Sequence, residues 1–284
     1  MLVWIEYFKF DVRKLLKMEK IQFKDIDFSG LQKLQYQGTK ASLYSDGYIC
    51  YKFIDGFYEE EKYELYKKLI DMDGIKIENV LLPRQLIMKE NKLYGYTMDY
   101  FANSIPLSDK FLVRYVDCKK LFDYVLKASY ILRDIHDHGI ICQDLSFENI
   151  LVTESGKVAF CDLDGCCYEN HISPFISLLM KRFFIDYREE RIPLSVNLDR
   201  ISMLISFFYL IYEKEVQNLT KREYHKLSDE IKTLENLRMY ANLLVDRRIS
   251  ICDIPYLDEL IDIKDDCIYD REKQISFVRK LFRR

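Results

Sequence analysis

Two textures divide the chain. In the first third, apolar and β-branched residues gather over residues 31–36, 41–44 and 48–54, broken by Gly38 and by the turn signal Ser45-Asp46-Gly47. This spacing predicts three short strands. Over residues 58–72, Leu65, Leu69 and Met72 recur at helical spacing and predict an amphipathic helix. Residues 81–88 and 93–100 read as two more strands with Glu90-Asn91 at the turn between them. After Tyr100 the pattern changes. Residues 101–110 are polar, contain Pro106 and read as a hinge. Residues 119–138 form the strongest helical signal, with Leu121, Val125, Ala128, Leu132 and Ile135 on one face and Gly139 as its stop. Short strands follow at 150–152 and 158–161 around Ser155-Gly156, and the remainder reads as helical, with Leu227, Ile231 and Leu234 lining one later face.

These elements predict an α+β, two-lobed fold: an N-terminal extension over 1–29, a small β-rich lobe over 30–101, a linker over 102–110 and a larger helical lobe over 111–284. Two-lobed clefts suit ligand binding, though this outline fits many functions.

Composition removes several function classes. The chain has 284 residues, 49% hydrophobic and 31% charged, an ordinary globular mixture with room for a large core. A net charge of −3 argues against a dedicated nucleic-acid partner. The eight cysteines contain no C-x-x-C pair and have no histidine cluster beside them, which predicts buried thiols rather than disulfides or zinc. Residues 1–18 mix charges with apolar residues and lack the apolar core of a signal peptide. The longest apolar run, 201–212, is too short for a bilayer and reads as a buried helix, so the expectation is a cytoplasmic protein with no membrane partner. Met18-Glu19-Lys20 reads as a second initiation point beside Met1, and both starts stay open.

The chemistry concentrates in the run from His136 through Gln143-Asp144-Leu145-Ser146-Phe147-Glu148-Asn149-Ile150-Leu151. It resembles the catalytic loop of the protein-kinase-like superfamily, H-R-D-L-x-x-x-N, with Asp144 in the aspartate place and Asn149 in the asparagine place. A carboxylate there orients the attacking hydroxyl, and an amide oxygen a few residues on holds a metal that bridges ATP phosphates. Further on, Val158-Ala159-Phe160-Cys161-Asp162-Leu163-Asp164-Gly165 resembles the strand and D-F-G metal motif. Asp162 is then the metal ligand, and Asp164, two residues on in an extended segment, points the same way and reaches toward the same ion.

The resemblance extends upstream. Lys52, in Gly47-Tyr48-Ile49-Cys50-Tyr51-Lys52-Phe53-Ile54, matches the strand lysine that anchors ATP phosphates, and Gly38 matches the middle glycine of a worn Gly-rich loop whose outer positions hold Tyr36 and Ala41. The family's lysine pairs with an acid from the next helix; Glu61, on the Leu65 stripe, is the first candidate and Glu64 the second. Met98 takes the gatekeeper place, with Asp99, Tyr100 and Phe101 as the backbone that receives adenine. Asp199 resembles the buried helix aspartate that braces the catalytic loop, and His136 is expected to pack rather than react.

The resemblance implies an ATP- and Mg2+-dependent phosphotransferase, first a serine/threonine protein kinase. Three departures bear on that. Gln143 replaces the arginine that pairs with an activation-loop phosphate, so activity is expected not to depend on that phosphate; a large rate gain on activation-loop phosphorylation would contradict this. Ser146 replaces a lysine near the transferred phosphate, and Asp164 replaces a glycine. Both favour the alternative of a small-molecule kinase resembling aminoglycoside or choline phosphotransferases. The worn Gly-rich loop favours a third reading, a nucleotide-binding pseudokinase scaffold. The acceptor is a protein or small-molecule hydroxyl, and the sequence leaves the oligomeric state open. Lys181, Arg182 and Arg188, and the basic end at 279–284, read as solvated charge.

Overall fold

The computed structural model describes residues 18–34, 40–109, 116, 118–171, 195–212, 239–240 and 254–261. Gly38, Tyr36, residues 181–188, the 227–234 face and the basic end lie outside them. The fold is mixed α+β, and the chain divides into two compact units, one formed by residues 1–76 and 82–100, the other by 77–81 and 101–284.

Among its described residues, the first unit holds a six-stranded sheet and one α-helix. Its strands are β1 (Glu19–Gln22), β2 (Gln32–Lys33), β3 (Ser42–Ser45), β4 (Ile49–Phe53), β5 (Gln85–Lys89) and β6 (Lys92–Asp99), in the order β1-β5-β6-β4-β3-β2. Every pairing is antiparallel except β1 with β5. The β3–β4 turn forms because the Asp46 carboxylate accepts from the backbone of Tyr48 at 2.8 Å and Ile49 at 2.7 Å, while Gly47 takes a left-handed φ of 95°. Between β5 and β6, Glu90 and Asn91 both adopt positive φ, the requirement of a two-residue hairpin turn that follows strand twist.

Helix α1 (Glu59–Asp71) buries Leu65 and Leu69, with Met72 buried at its C-terminal end, as the spacing predicts. Its first turn is fixed by Glu61, whose Oε2 accepts from Tyr58 N at 2.8 Å. An aromatic cluster forms where Phe23, Phe28, Phe53 and Tyr94 meet, with Phe23 lying 4.6 Å from Tyr94 and 5.8 Å from Phe53, ring centre to ring centre.

The stretch 19–22, read from sequence as part of an extension, is thus a strand of the sheet. Its sequence Glu-Lys-Ile-Gln holds one apolar residue, too little alternation to announce a strand.

Among its described residues, the second unit contains two small sheets and helices. Strands β7 (Ser104–Pro106), β9 (Ile150–Thr153) and β10 (Val158–Phe160) run in the order β10-β9-β7, and β8 (Ile140–Ile141) pairs with β11 (Cys167–Tyr168). Part of the polar segment read as a hinge is therefore β7. Pro106 fits there because β7 is an edge strand and tolerates a missing donor. Residues 77–81 belong to this unit: Phe160 N donates to Asn79 O at 2.9 Å and Leu81 N to Phe160 O at 2.8 Å.

Helix α2 (Cys118–Asp137) buries Leu121, Val125, Ala128, Leu132 and Ile135 on one face and ends at Gly139, whose φ is 74°. Helix α3 (Val196–Tyr212) buries residues around its circumference, Leu198, Ile201, Met203, Leu204 and Phe207 among them, the signature of a core helix. A short helix α4 (Leu257–Leu260) is also among the described residues of this unit. Among the described residues no helix is long and apolar enough to cross a membrane.

Candidate functional site

In the first unit, Lys52 sits in β4 between β3 and β6, facing Leu43 and Tyr96 in register. It is only 6% exposed, with Nζ 5.6 Å from the Tyr96 ring centre. A buried ammonium is costly unless it is paired. Its field is felt by Cys50: burial pushes that thiol up to about 11, and Lys52 offsets part of the rise. Gly95 on β6 makes the close strand approach possible, since a Cβ there would collide with the Lys52 carbonyl.

Glu61 corrects the sequence reading. Its Oε1 accepts from Lys40 Nζ at 2.9 Å and its Oε2 from Tyr58 N, so its partner is Lys40 where Lys52 was expected. Desolvation, the largest single influence, pushes the carboxyl pKa up, but these two bonds and the charge of Lys40 together outweigh it and lower the pKa. Glu64 is exposed and pairs with Lys67 at 2.7 Å. The buried charge on the inward stripe of α1 is Lys68, 6% exposed and three residues past Leu65.

Met98 is buried opposite Cys50, Asp99 pairs with Arg84 at 2.6 Å, and Tyr100 N donates to Tyr48 O at 2.9 Å. The division between the units falls after Tyr100, so Phe101 belongs to the second.

The second unit brings Asp144, Asn149, Asp162 and Asp164 onto two neighbouring loops. Asn149 Nδ2 donates to the Asp144 carbonyl at 3.0 Å, while the Asn149 carbonyl accepts from Cys161 N at 3.0 Å, tying the loop of Asp144 to the end of β10. Asp162 follows directly, with φ 64° and ψ 43°. Gln143, just before Asp144, has φ 59° and is buried, with its Oε1 among the buried polar atoms that lack a partner. Left-handed backbone at non-glycine residues costs about 1–3 kcal/mol and persists where the surroundings impose it, commonly at functional sites.

Asp144 itself is solvent-exposed as a residue, yet neighbouring protein strips hydration from its carboxyl and the charge of Asp164 adds to the effect; both raise its pKa. No family model and no curated protein matches this chain.

What holds Asp144 in place lies beneath it. Asp199, fully buried near the start of α3, accepts from Cys142 N at 2.6 Å, Gln143 N at 2.8 Å and His136 Nε2 at 3.0 Å. The bracing role expected for Asp199 is seen directly, as is the packing role of His136. Tyr256, which carried no sequence signal, completes this network through His136 Nδ1 at 2.8 Å.

By type, the oxygen donors here are those a hard cation takes. Asn149 donates from its amide nitrogen to the Asp144 carbonyl and offers its side-chain oxygen as an acceptor, and Asp162 and Asp164 add carboxylates. Like charge between Asp164 and Asp144 is a strain that a cation would relieve. Among the described residues, no three His, Cys, Asp or Glu side chains gather into a metal cluster by themselves.

Proposed function

We propose that this chain is an ATP- and magnesium-dependent phosphotransferase that moves the γ-phosphoryl group to a serine or threonine hydroxyl of a protein. The observation that carries the reading is Asp144: a carboxylate of raised pKa, on a loop whose preceding amides are held by a fully buried Asp199. A carboxylate moved toward neutrality is better matched to accepting a proton during reaction.

In this reading Lys52 anchors the ATP phosphates, and the backbone of Asp99, Tyr100 and Phe101 receives adenine beside Met98. Asp144 orients the acceptor hydroxyl and takes its proton as the oxygen bonds to the γ-phosphorus and the bond to the bridging oxygen of ADP breaks. Asn149 and Asp162, with Asp164, hold magnesium, which when bound neutralises charge on the transferred group. Asp144 then passes its proton to solvent.

The deciding experiment is transfer from γ-labelled ATP with magnesium, comparing wild type with Asp144→Ala and offering a generic protein and a metabolite pool as acceptors. Label on protein that vanishes in the variant supports a protein kinase. Label confined to metabolites moves the assignment to a small-molecule kinase, the reading favoured by Ser146 and Asp164. Bound ATP without transfer points to a pseudokinase scaffold.

A further inference from the structure

The segment 254–261 is fastened to α2 and α3 by contacts that converge on one aromatic ring. Tyr256 is 6% exposed, and the guanidinium carbons of Arg133 and Arg200 lie 4.0 Å and 3.9 Å from its ring centre. Each arginine is itself held by the segment. Arg133 pairs with Asp258 at 2.8 Å and Glu259 at 3.0 Å, and Arg200 donates to Ile254 O at 2.8 Å. Ser129 on α2 donates to Asp258 at 2.6 Å. Stacking of this kind fixes the ring plane and therefore where the hydroxyl points. It points at His136.

The protons along this chain have one consistent neutral arrangement. Asp199 accepts two backbone N–H bonds from the loop, and its Oδ2, already taking Cys142 N, also faces His136 Nε2. A carboxylate oxygen is an acceptor, so Nε2 carries the proton. In a neutral imidazole the other nitrogen is then an acceptor, and Nδ1 needs a donor. The Tyr256 hydroxyl, 2.8 Å away, is placed to be that donor. In the opposite tautomer the Nε2 lone pair would face Oδ2 and repel it, weakening the grip of Asp199 on the amides of Cys142 and Gln143. The His136 side chain is 3% exposed and that of Asp199 0%, so water is poorly placed to rescue either group.

We infer that Tyr256 is a positioning residue: by donating to Nδ1 it locks His136 in the Nε2–H tautomer, keeps Asp199 on the loop amides, and so couples segment 254–261 to the setting of Asp144. The tautomer and the loop clamp stand on the hydrogen bonds alone; the effect on transfer rests on the phosphotransferase reading.

The test uses the full chain and Tyr256→Phe, which keeps the ring between its two arginines and removes only the donor. Three readouts are taken: the His136 tautomer by 15N NMR, amide hydrogen exchange at Cys142 and Gln143, and phosphoryl transfer. Wild type shows the Nε2–H form. The variant is expected to show mixed tautomers, exchange at both amides faster by about ten-fold or more, and a kcat lower by about ten-fold with KM for ATP unchanged. Asp258→Asn serves as the control: it loosens the segment, lowering the melting temperature, and leaves the tautomer as in wild type. An unchanged tautomer and unchanged exchange in Tyr256→Phe overturn the inference. So does a wild-type His136 carrying its proton on Nδ1 alone, or protons on both nitrogens, which decides the matter even if the variant fails to fold. Altered tautomer and exchange in a protein whose wild type transfers no phosphate would uphold the clamp and defeat the phosphotransferase reading.

Discussion

Glu61 on α1 holds Lys40, not Lys52, at 2.9 Å, and with its second oxygen it closes the first turn of its own helix through Tyr58 N. One carboxylate therefore fixes both the helix start and the chain entering β3. Replacing it with alanine removes both functions, whereas glutamine keeps a neutral acceptor for Tyr58 and removes only the ion pair. Glu61→Ala is expected to cost about 1 kcal/mol more than Glu61→Gln in denaturant unfolding. A double-mutant cycle between Lys40 and Glu61 should return a coupling of about 0.2–1 kcal/mol, as for partly exposed pairs. A cycle between Lys52 and Glu61 should return much less; equal couplings would restore the sequence-based pairing.

Gly95 tests how Lys52 is set in its sheet. Its missing Cβ lets β6 lie against the Lys52 carbonyl, and the blocking atoms are backbone, which cannot swing aside as a side chain could. Gly95→Ala is expected to destabilise the protein by about 1–3 kcal/mol, the usual range for forcing an added methyl group into a packed site. Urea unfolding measures this directly. Wild-type stability in the variant would mean that the two strands can separate freely, contrary to the register in which Lys52 faces Tyr96.

The parts legible in sequence are those whose period or motif is local. Helix α1 and the long α2 announced themselves through their apolar stripes, and β4 and β6 through runs of apolar and β-branched residues bounded by turn residues. Asp199 was legible as a brace because a motif fixes its place. What stayed hidden depends on distant partners. Strand β1 is short and mostly polar and exists because β5, distant in sequence, offers it an edge. Lys68 looked like one lysine among many until burial singled it out. Tyr256 sits far along the chain from His136, and no periodicity or motif links them; only the folded helices bring the hydroxyl to the imidazole.

The N-terminal part of the sheet is expected to contribute to stability through Phe23 more than through its few hydrogen bonds. Phe23 packs edge-on against Tyr94 and Phe53 and lies 5.3 Å from Phe28, while Lys89 Nζ sits 5.2 Å from its ring centre. The ring is half-buried, so Phe23→Ala should cost about 2 kcal/mol, less than the roughly 3–5 kcal/mol of a fully buried phenylalanine. A chain beginning at Met18 retains β1 and this cluster, whereas one beginning at Leu31 loses both. Comparing their thermal melts checks the point: equal midpoints would show that the segment adds nothing to the sheet.

Asp144 carries the clearest pH signature. Its folded-state pKa is raised, chiefly by desolvation and further by Asp164, so the folded protein binds this proton more readily than the unfolded chain does. A carboxylate of raised pKa lowers stability where it is ionised. The penalty is fully present above the folded-state pKa and is relieved as pH falls through that value toward the unfolded one near 3.8. Asp144→Asn, which does not titrate, should therefore melt higher than wild type at pH 7, and the gap should close on acidification. A gap that widened as pH fell would reverse the sign and with it the raised pKa. Asp164→Asn removes the second cause only, so a 13C titration of the Asp144 carboxyl should move part of the way back toward 3.8 and stop short of it. A full return would make Asp164, rather than desolvation, the main source of the shift, and the loop would then present a coupled carboxylate pair rather than a single recessed base.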